Sequence, residues 1–282
     1  MTTIEKPPNI IWKSDFNSVN IQLTEPFIES SQWWQDVIGI QPLPGLQYTG
    51  SDPNGDFGFQ LQVDDTEPDP DIFIRQHLTN VLGPYNDRTR CLAQLVFANG
   101  SALDQSRSNW FFAPHPQYDD ELYESWWMYI QPNVLDILDP SGTAFPFYNF
   151  RQIWECKWGQ PVGNFDFRMN VSMIYQSSLG GFNWQVRSED YVQPGVGEFE
   201  INSPGISEFG RWIFCEVWVK QHPTNGKIIV NVDNRTLCDL SGVKTIRALP
   251  AFHWKLAVIY TAMDRLKGYH WQLVDDITLR AN

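Results

Sequence analysis

Positive charge is scarce in this chain: 20 Lys and Arg stand against 33 Asp and Glu over 282 residues, a formal net charge of −13. No basic stripe offsets that balance, so a phosphate backbone would be repelled, and nucleic acid is not expected as a partner. The same field works against a strongly anionic glycan unless a local basic groove receives it. Long apolar runs are missing as well. None approaches the ~20 residues needed to cross a bilayer, which predicts no membrane span. The opening MTTIEKPPNIIWKSDF lacks the charged start and apolar block of a secretory signal. The expectation is a cytoplasmic protein, with export by another route or association with a particle left open.

Cysteine is sparse. Cys91, Cys156, Cys215 and Cys238 form no C-x-x-C pair, and most lie in apolar runs, so four free thiols are expected. There is no H-E-x-x-H, phosphate-cradling glycine loop, nucleophile elbow or cysteine zinc pattern. The histidines His77, His115, His222, His253 and His270 fall in expected loops or strand starts. Helical periodicity never extends beyond a few turns; short helices are predicted at Ser31 to Val37, Arg75 to Leu82 and Val134 to Leu138.

What the chain does have is aromatic residues, turn formers and alternation. With 13 Trp, 10 Tyr and 18 Phe it is 15% aromatic, enough to fill a two-sheet core and to leave rings for a groove in which sugars stack. Its 19 Gly and 19 Pro punctuate the whole length. Between them lie strand candidates at 9–16, 57–63, 90–97, 122–130, 150–157, 166–176, 182–188, 213–220, 228–233, 254–261 and 271–279. The segment from Ser188 to Gly210 reads as a long loop. RWIFCEVWVKQHPTNGKIIVNV, from Arg211, is the most legible stretch. Ile213, Cys215, Val217 and Val219 alternate with Phe214, Glu216, Trp218 and Lys220, and Asn225-Gly226 is expected to supply left-handed turn positions. Strands without long helices between them predict one all-β domain over residues 1–282, a jelly-roll β-sandwich with a few short helices.

The order of several motifs resembles the concanavalin-A-like jelly rolls of the polysaccharide-lyase type, the alginate, heparin and glucuronan lyases, and among them a bacterial lyase-like group. The motifs are Arg90-Cys-Leu-Ala-Gln94, LYESWWMYIQP ending at Pro132, Gln152-Ile153-Trp154, FNWQVRS from Phe182, the hairpin above, WKLAVIYT from Trp254 and the closing WQLVDDITL. In such lyases a Gln-Ile-His strand faces a Lys-x-Gly-x-Tyr strand. A base takes the C5 proton of a uronate, and an acid protonates the departing glycosidic oxygen. Here Trp154 stands where the resemblance implies His. Lys255 and Ala257 match the second motif, but Ile259 takes the Tyr position and Tyr260 is displaced by one residue. On a regular strand that displacement moves Tyr260 to the opposite face. The arginine strand lacks its usual glutamate.

The resemblance therefore implies a polysaccharide partner held in a sheet groove, with binding and no cleavage as the first expectation. The expected contacts are Arg90, Gln94, Arg151, Trp154, Glu155, Lys157, Gln185 and Arg187. The alternatives are a lyase using Tyr260, Lys255 and Gln152, and a structural jelly roll of a phage or secretion particle. No cofactor is expected. Room is left for a structural calcium ion, either at the acidic run Asp64, Asp65, Glu67, Asp69, Asp71, which otherwise reads as a solvated loop, or at Asp275-Asp276 on the sandwich edge. The sequence sets no oligomeric state.

Overall fold

The computed structural model describes residues 1–14, 20–21, 33–34, 37–38, 50–51, 57–64, 72–99, 106–114, 121–134, 147–154, 167–176, 178, 181–204, 209–247, 253–262 and 267–282. Among these the chain is a jelly-roll sandwich of two antiparallel sheets. The first runs β17 (Arg235–Val243), β16 (Gly226–Val232), β15 (Trp212–Lys220), β10 (Glu121–Ile130), β19 (Lys267–Ala281), β8 (Arg88–Asn99), β7 (Ile72–Leu82), with β1 (Asn9–Ser14) also paired to β19. The second runs β14 (Glu200–Pro204), β13 (Gly181–Asp190), β12 (Phe167–Gln176), β11 (Phe147–Trp154), β18 (His253–Ala262), β9 (Ser106–Pro114), β6 (Phe57–Asp64), β3 (Trp33–Trp34), with β5 (Gly50–Ser51) on β6. A small β2 (Asn20–Ile21) and β4 (Val37–Ile38) pair stands apart.

Alternation explains which faces meet. In β10, Leu122, Trp126, Met128 and Ile130 are buried on one side; β15 adds Ile213, Cys215, Val217 and Val219, and β16 adds Ile228, Val230 and Val232. In the second sheet, Phe167, Met169, Val171 and Met173 of β12 and Trp184 and Val186 of β13 are buried likewise. Fully burying a ring such as Trp126 or Trp184 removes about 150–250 Å² from water, or about 4–6 kcal/mol as an upper bound.

Several sequence expectations are corrected. Arg75 to Leu82 is not a helix but most of β7, paired along its whole length with β8. Its apolar residues fit a helical spacing locally, and the long ladder to β8 overrides that preference. Ser31 to Val37 holds the strand piece Trp33–Trp34 and the first residue of Val37–Ile38, and its other residues lie outside the described set. Val134 begins a helical turn, and residues 135–138 lie outside the described set. The loop from Ser188 to Gly210 contains β14, which pairs with β13. Asn225 and Gly226 do not adopt positive φ; along β15 to β17 the left-handed residues are Asp233 (φ 49°) and Gly242 (φ 71°). Cys91, Cys215 and Cys238 are buried thiols outside any disulfide, while Cys156 lies outside the described residues.

Between the pairings of Ser125 with Thr278 and of Trp127 with Asp275, Asp276 and Ile277 together stand opposite Trp126, a β-bulge in β19 with Asp276 at φ 45°. Asp275 accepts a hydrogen bond from Thr89 Oγ1 (3.0 Å), and Asp276 accepts one from Tyr85 OH (3.1 Å) and pairs with Lys13 (3.3 Å).

Candidate functional site

In β12 and β13 the described side chains alternate between an apolar set in the core and a polar set on the other face, and backbone register aligns several of the sequence-expected positions with that polar set. Reading across paired strands gives three rows. Lys255 pairs with Gln152, Gln152 with Asn170, Asn170 with Arg187 and Arg187 with Glu200. Tyr260 pairs with Asn149, then Ser172, Gln185 and Asn202 follow. His253 pairs with Trp154, followed by Arg168 and Glu189.

Two irregularities create these rows. Lys255 and Tyr260 are an odd number of residues apart, so a regular strand would set them on opposite faces. Between Leu256 and Ile259, however, β18 slips against β9, where Lys255 pairs with Phe111 and Tyr260 with Arg107. The partner positions on β9 are an even number apart, so the extra residue in β18 returns Tyr260 to the parity of Lys255. A matching slip in β11, between Asn149 and Arg151, puts Asn149 and Gln152 opposite Ser172 and Asn170.

On the β12–β14 side the side chains form a connected network. Glu189 is its hub: it pairs with Arg168 Nε, with Arg187 Nη2 at 2.7 Å, and accepts from Asn170 Nδ2 at 3.0 Å. Burial alone would raise the Glu189 carboxyl, but the Arg168 hydrogen bond and the Arg168 and Arg187 charges outweigh it and hold the group below the usual carboxylate range. Beside this hub Gln185 Nε2 donates to Asn202 Oδ1 (3.2 Å), and Asn202 Nδ2 donates to Glu200 Oε1 (2.8 Å). Asn170 is 1% exposed, and its Oδ1 has no hydrogen-bond partner among the described residues. A buried amide oxygen in that state costs about 1–3 kcal/mol.

The remaining expected residues are placed differently. Arg151 pairs with Val171, which pairs with Val186, so its register is that of the core row. Arg90 and Gln94 lie on β8 in the other sheet, opposite Asn80 and Gln272 respectively, and do not join this face. Glu155 and Lys157 lie outside the described residues. Arg168, Asn170, Ser172, Glu189 and Asn202 were not singled out from sequence. For Arg168, Asn170, Ser172 and Glu189 the signal was present in the alternation of FRMNVSM and FNWQVRSE, whereas Asn202 lies in β14, within the stretch read as a loop. Among the described residues no group of three or more His, Cys, Asp and Glu side chains is placed to hold a metal ion.

No family model and no curated protein sequence matches the chain. Among solved structures it is similar to an endo-β-1,4-glucuronan lyase from the fungus Trichoderma reesei, at 15% identity over 74% of this chain and 90% of that one, with a TM-score of 0.47. It is also similar to a GlcNAcα1-4Gal-releasing endo-β-galactosidase from Clostridium perfringens, at 9% identity over 76% of this chain and 64% of that one, with a TM-score of 0.43. A third is the metal-free carbohydrate recognition domain of Emp46p, at 8% identity over 74% and 88% of the two chains, with a TM-score of 0.41.

Proposed function

We propose that this protein recognises a polysaccharide along the polar face of its second sheet, and that it does so by binding without cleavage. The observation that carries this reading is the side-chain network of Arg168, Asn170, Gln185, Arg187, Glu189 and Asn202 on β12–β14. Amides and guanidinium groups are planar and carry paired hydrogen-bonding atoms, which match the adjacent hydroxyls of a sugar ring. Their mutual hydrogen bonds hold them in place before a ligand arrives, so less side-chain freedom is lost on binding. Arg187 keeps a side chain 36% exposed, which leaves it able to reach a hydroxyl pair or a uronate carboxylate.

A panel of neutral and uronate-containing polysaccharides, assayed by calorimetry and affinity electrophoresis, tests the reading. At least one should bind, and Gln185→Ala and Arg187→Ala should each weaken it about 5–100-fold, the loss of one or two hydrogen bonds to a charged or polar group. Silence across the panel, or affinity untouched by both substitutions, would overturn it.

A specific observation favours a second reading, a lyase: the slip in β18 that gives Tyr260 the parity of Lys255, with His253 two positions before Lys255. In that reaction a base removes the C5 proton, the electrons form the C4–C5 double bond and the glycosidic oxygen leaves with a proton. Incubation with alginate, glucuronan, heparin and pectin, followed by absorbance of the unsaturated product, separates the two. Under the primary reading no product accumulates; product that disappears in Tyr260→Phe would make the protein a lyase.

A further inference from the structure

The outward face of the first sheet is divided by what covers it. One half, around Tyr123, Trp218 and Ile229, lies under the N-terminal segment. Ile4 joins that cluster, and Lys6 Nζ stands 5.1 Å from the Tyr123 ring centroid and 3.1 Å from Glu216 Oε1. The other half carries Trp127, Tyr129, Trp212, Phe214 and Trp271, all of which keep part of their surface exposed. Over three of them opens a cavity of about 600 Å³, lined by Trp127, Trp212 and Phe214 with Tyr85, Arg211, Asp233 and Asn234. That volume falls inside the range of about 300–1,000 Å³ usual for small-molecule sites.

The rings are fixed before anything binds. Trp127 and Phe214 pack with centroids 5.1 Å apart at 51°, and Tyr85 meets Trp127 edge-on at 5.7 Å. Trp127 Nε1 donates to Tyr85 OH (3.0 Å), Tyr85 OH donates to Asp276 Oδ2 (3.1 Å), and Trp212 Nε1 donates to the Leu82 carbonyl (2.9 Å). With both indole N–H groups engaged, these rings offer a ligand their π surface. The polar rim is equally set: Arg211 Nη1 pairs with Asp233 Oδ2 at 2.7 Å, while Asp233 Oδ1 accepts from the Phe214 amide at 2.8 Å.

We infer that this cavity is a second carbohydrate site, taking a neutral pyranose unit of a glycan on the sheet opposite the polar face. Rings against which an apolar C–H face can lie, bordered by a guanidinium, a carboxylate and an amide for hydroxyls, are what such a sugar requires. Other ligand classes fit less well. Arg211 is already neutralised by Asp233, and Asp276 stands behind Tyr85, so nothing on the rim offers net positive charge to a uronate or a phosphate. An organic cation would meet the Arg211 guanidinium in the lining. The site uses none of the residues of the polar face, so it stands whether or not that reading holds. Where both hold, one molecule engages two stretches of glycan, and avidity exceeds either affinity.

Methyl β-glucoside, methyl β-galactoside and methyl α-mannoside, titrated separately into the whole protein at millimolar concentrations, test the inference through chemical shifts of the Trp indole resonances. At least one glycoside should produce saturable shifts. Trp127→Ala should weaken binding tenfold or more. Because Trp127 is half-buried, Arg211→Met and Asn234→Ala on the exposed rim supply variants that leave the core alone, and each should weaken binding about 3–10-fold, one hydrogen bond's worth. Absence of shifts with all three glycosides overturns the inference. So does binding that survives Trp127→Ala and Arg211→Met together, as does a concentration-dependent dimer that Trp127→Ala dissolves, since the face would then belong to a second copy of the chain.

Discussion

Gly226 shows how a residue that the sequence marks correctly can matter for a different reason. Asn225-Gly226 reads locally as a left-handed turn, yet neither residue has positive φ. The need for glycine comes from a distant part of the chain: a Cβ there would stand 2.2 Å from Thr245 Oγ1 and 2.9 Å from the Lys220 carbonyl oxygen. Thr245 cannot step aside, because its Oγ1 donates to Lys220 O (2.8 Å) and accepts from the His222 amide (2.9 Å), closing the hairpin end. Gly226→Ala should therefore lower stability by about 1–3 kcal/mol, the usual cost of overpacking. Asn225→Ala, on an exposed residue without a strained backbone, should change it by less than about 0.5 kcal/mol. Urea denaturation of both variants checks the assignment. A larger loss in Asn225→Ala would restore the left-handed turn. No local pattern could have revealed Thr245, which enters from beyond the next strand.

Strands were legible where alternation is strong. In β15 and β16 it named both the element and its buried side, Ile213, Cys215, Val217 and Val219 with Ile228, Val230 and Val232, and in β10, β12 and β13 it named the element. β7, β14 and β17 were missed or misread for a shared reason: their pattern is weak, and pairing with a stronger neighbour makes the strand. The bulge in β18 was beyond local reading too, because register belongs to a pair of strands. On β12 and β13 the polar face has its own energetics, centred on Glu189. Its folded-state pKa lies below the usual carboxylate value, so the stability that it contributes is fully present above about pH 4.3, the unfolded value, and is lost as pH falls through the folded one. Glu189→Gln should cost about 1–2 kcal/mol at pH 7, given hydrogen bonds to charged partners on a side chain 24% exposed. The difference from the unsubstituted protein should close as pH falls through the folded value. Urea midpoints across pH measure this, and a gap that persists in acid would mean that packing, not charge, is what the substitution removes.

At the scale of the whole molecule, sequence gave the architecture but not the assignment of strands to sheets. Arg90 and Gln94 were grouped with Gln185 and Arg187, yet β8 and β13 belong to different sheets. Strand order follows from crossovers between distant segments, and alternation along one strand carries no record of it. One cluster ties the two sheets at their edge. Asp190, 2% exposed at the end of β13, pairs with Lys244 Nζ and, at 3.5 Å, with Arg247 Nε, both just beyond β17 of the other sheet. Its Oδ1 also accepts from the amides of Val192 (2.9 Å) and Gln193 (2.7 Å), fixing the loop that leads to β14. Burial opposes the charge, but the Lys244 hydrogen bond and those two amides prevail and keep Asp190 below the ordinary carboxylate range. Asp190→Asn would keep an acceptor for the amides and strip the charge, leaving Lys244, only 12% exposed, without its counter-ion. Removing one partner of a buried pair costs about 3–5 kcal/mol, and that is the loss expected in urea denaturation. Asp190→Asn with Lys244→Met, which removes the stranded charge as well, should recover part of the loss. Hydrogen exchange supplies the structural half of the test, because a clamp between sheets must protect both: in Asp190→Asn, amides of β13–β14 and of β17 should lose protection together. Loss confined to β13–β14, or a stability change under about 1 kcal/mol, would reduce the cluster to a local loop anchor.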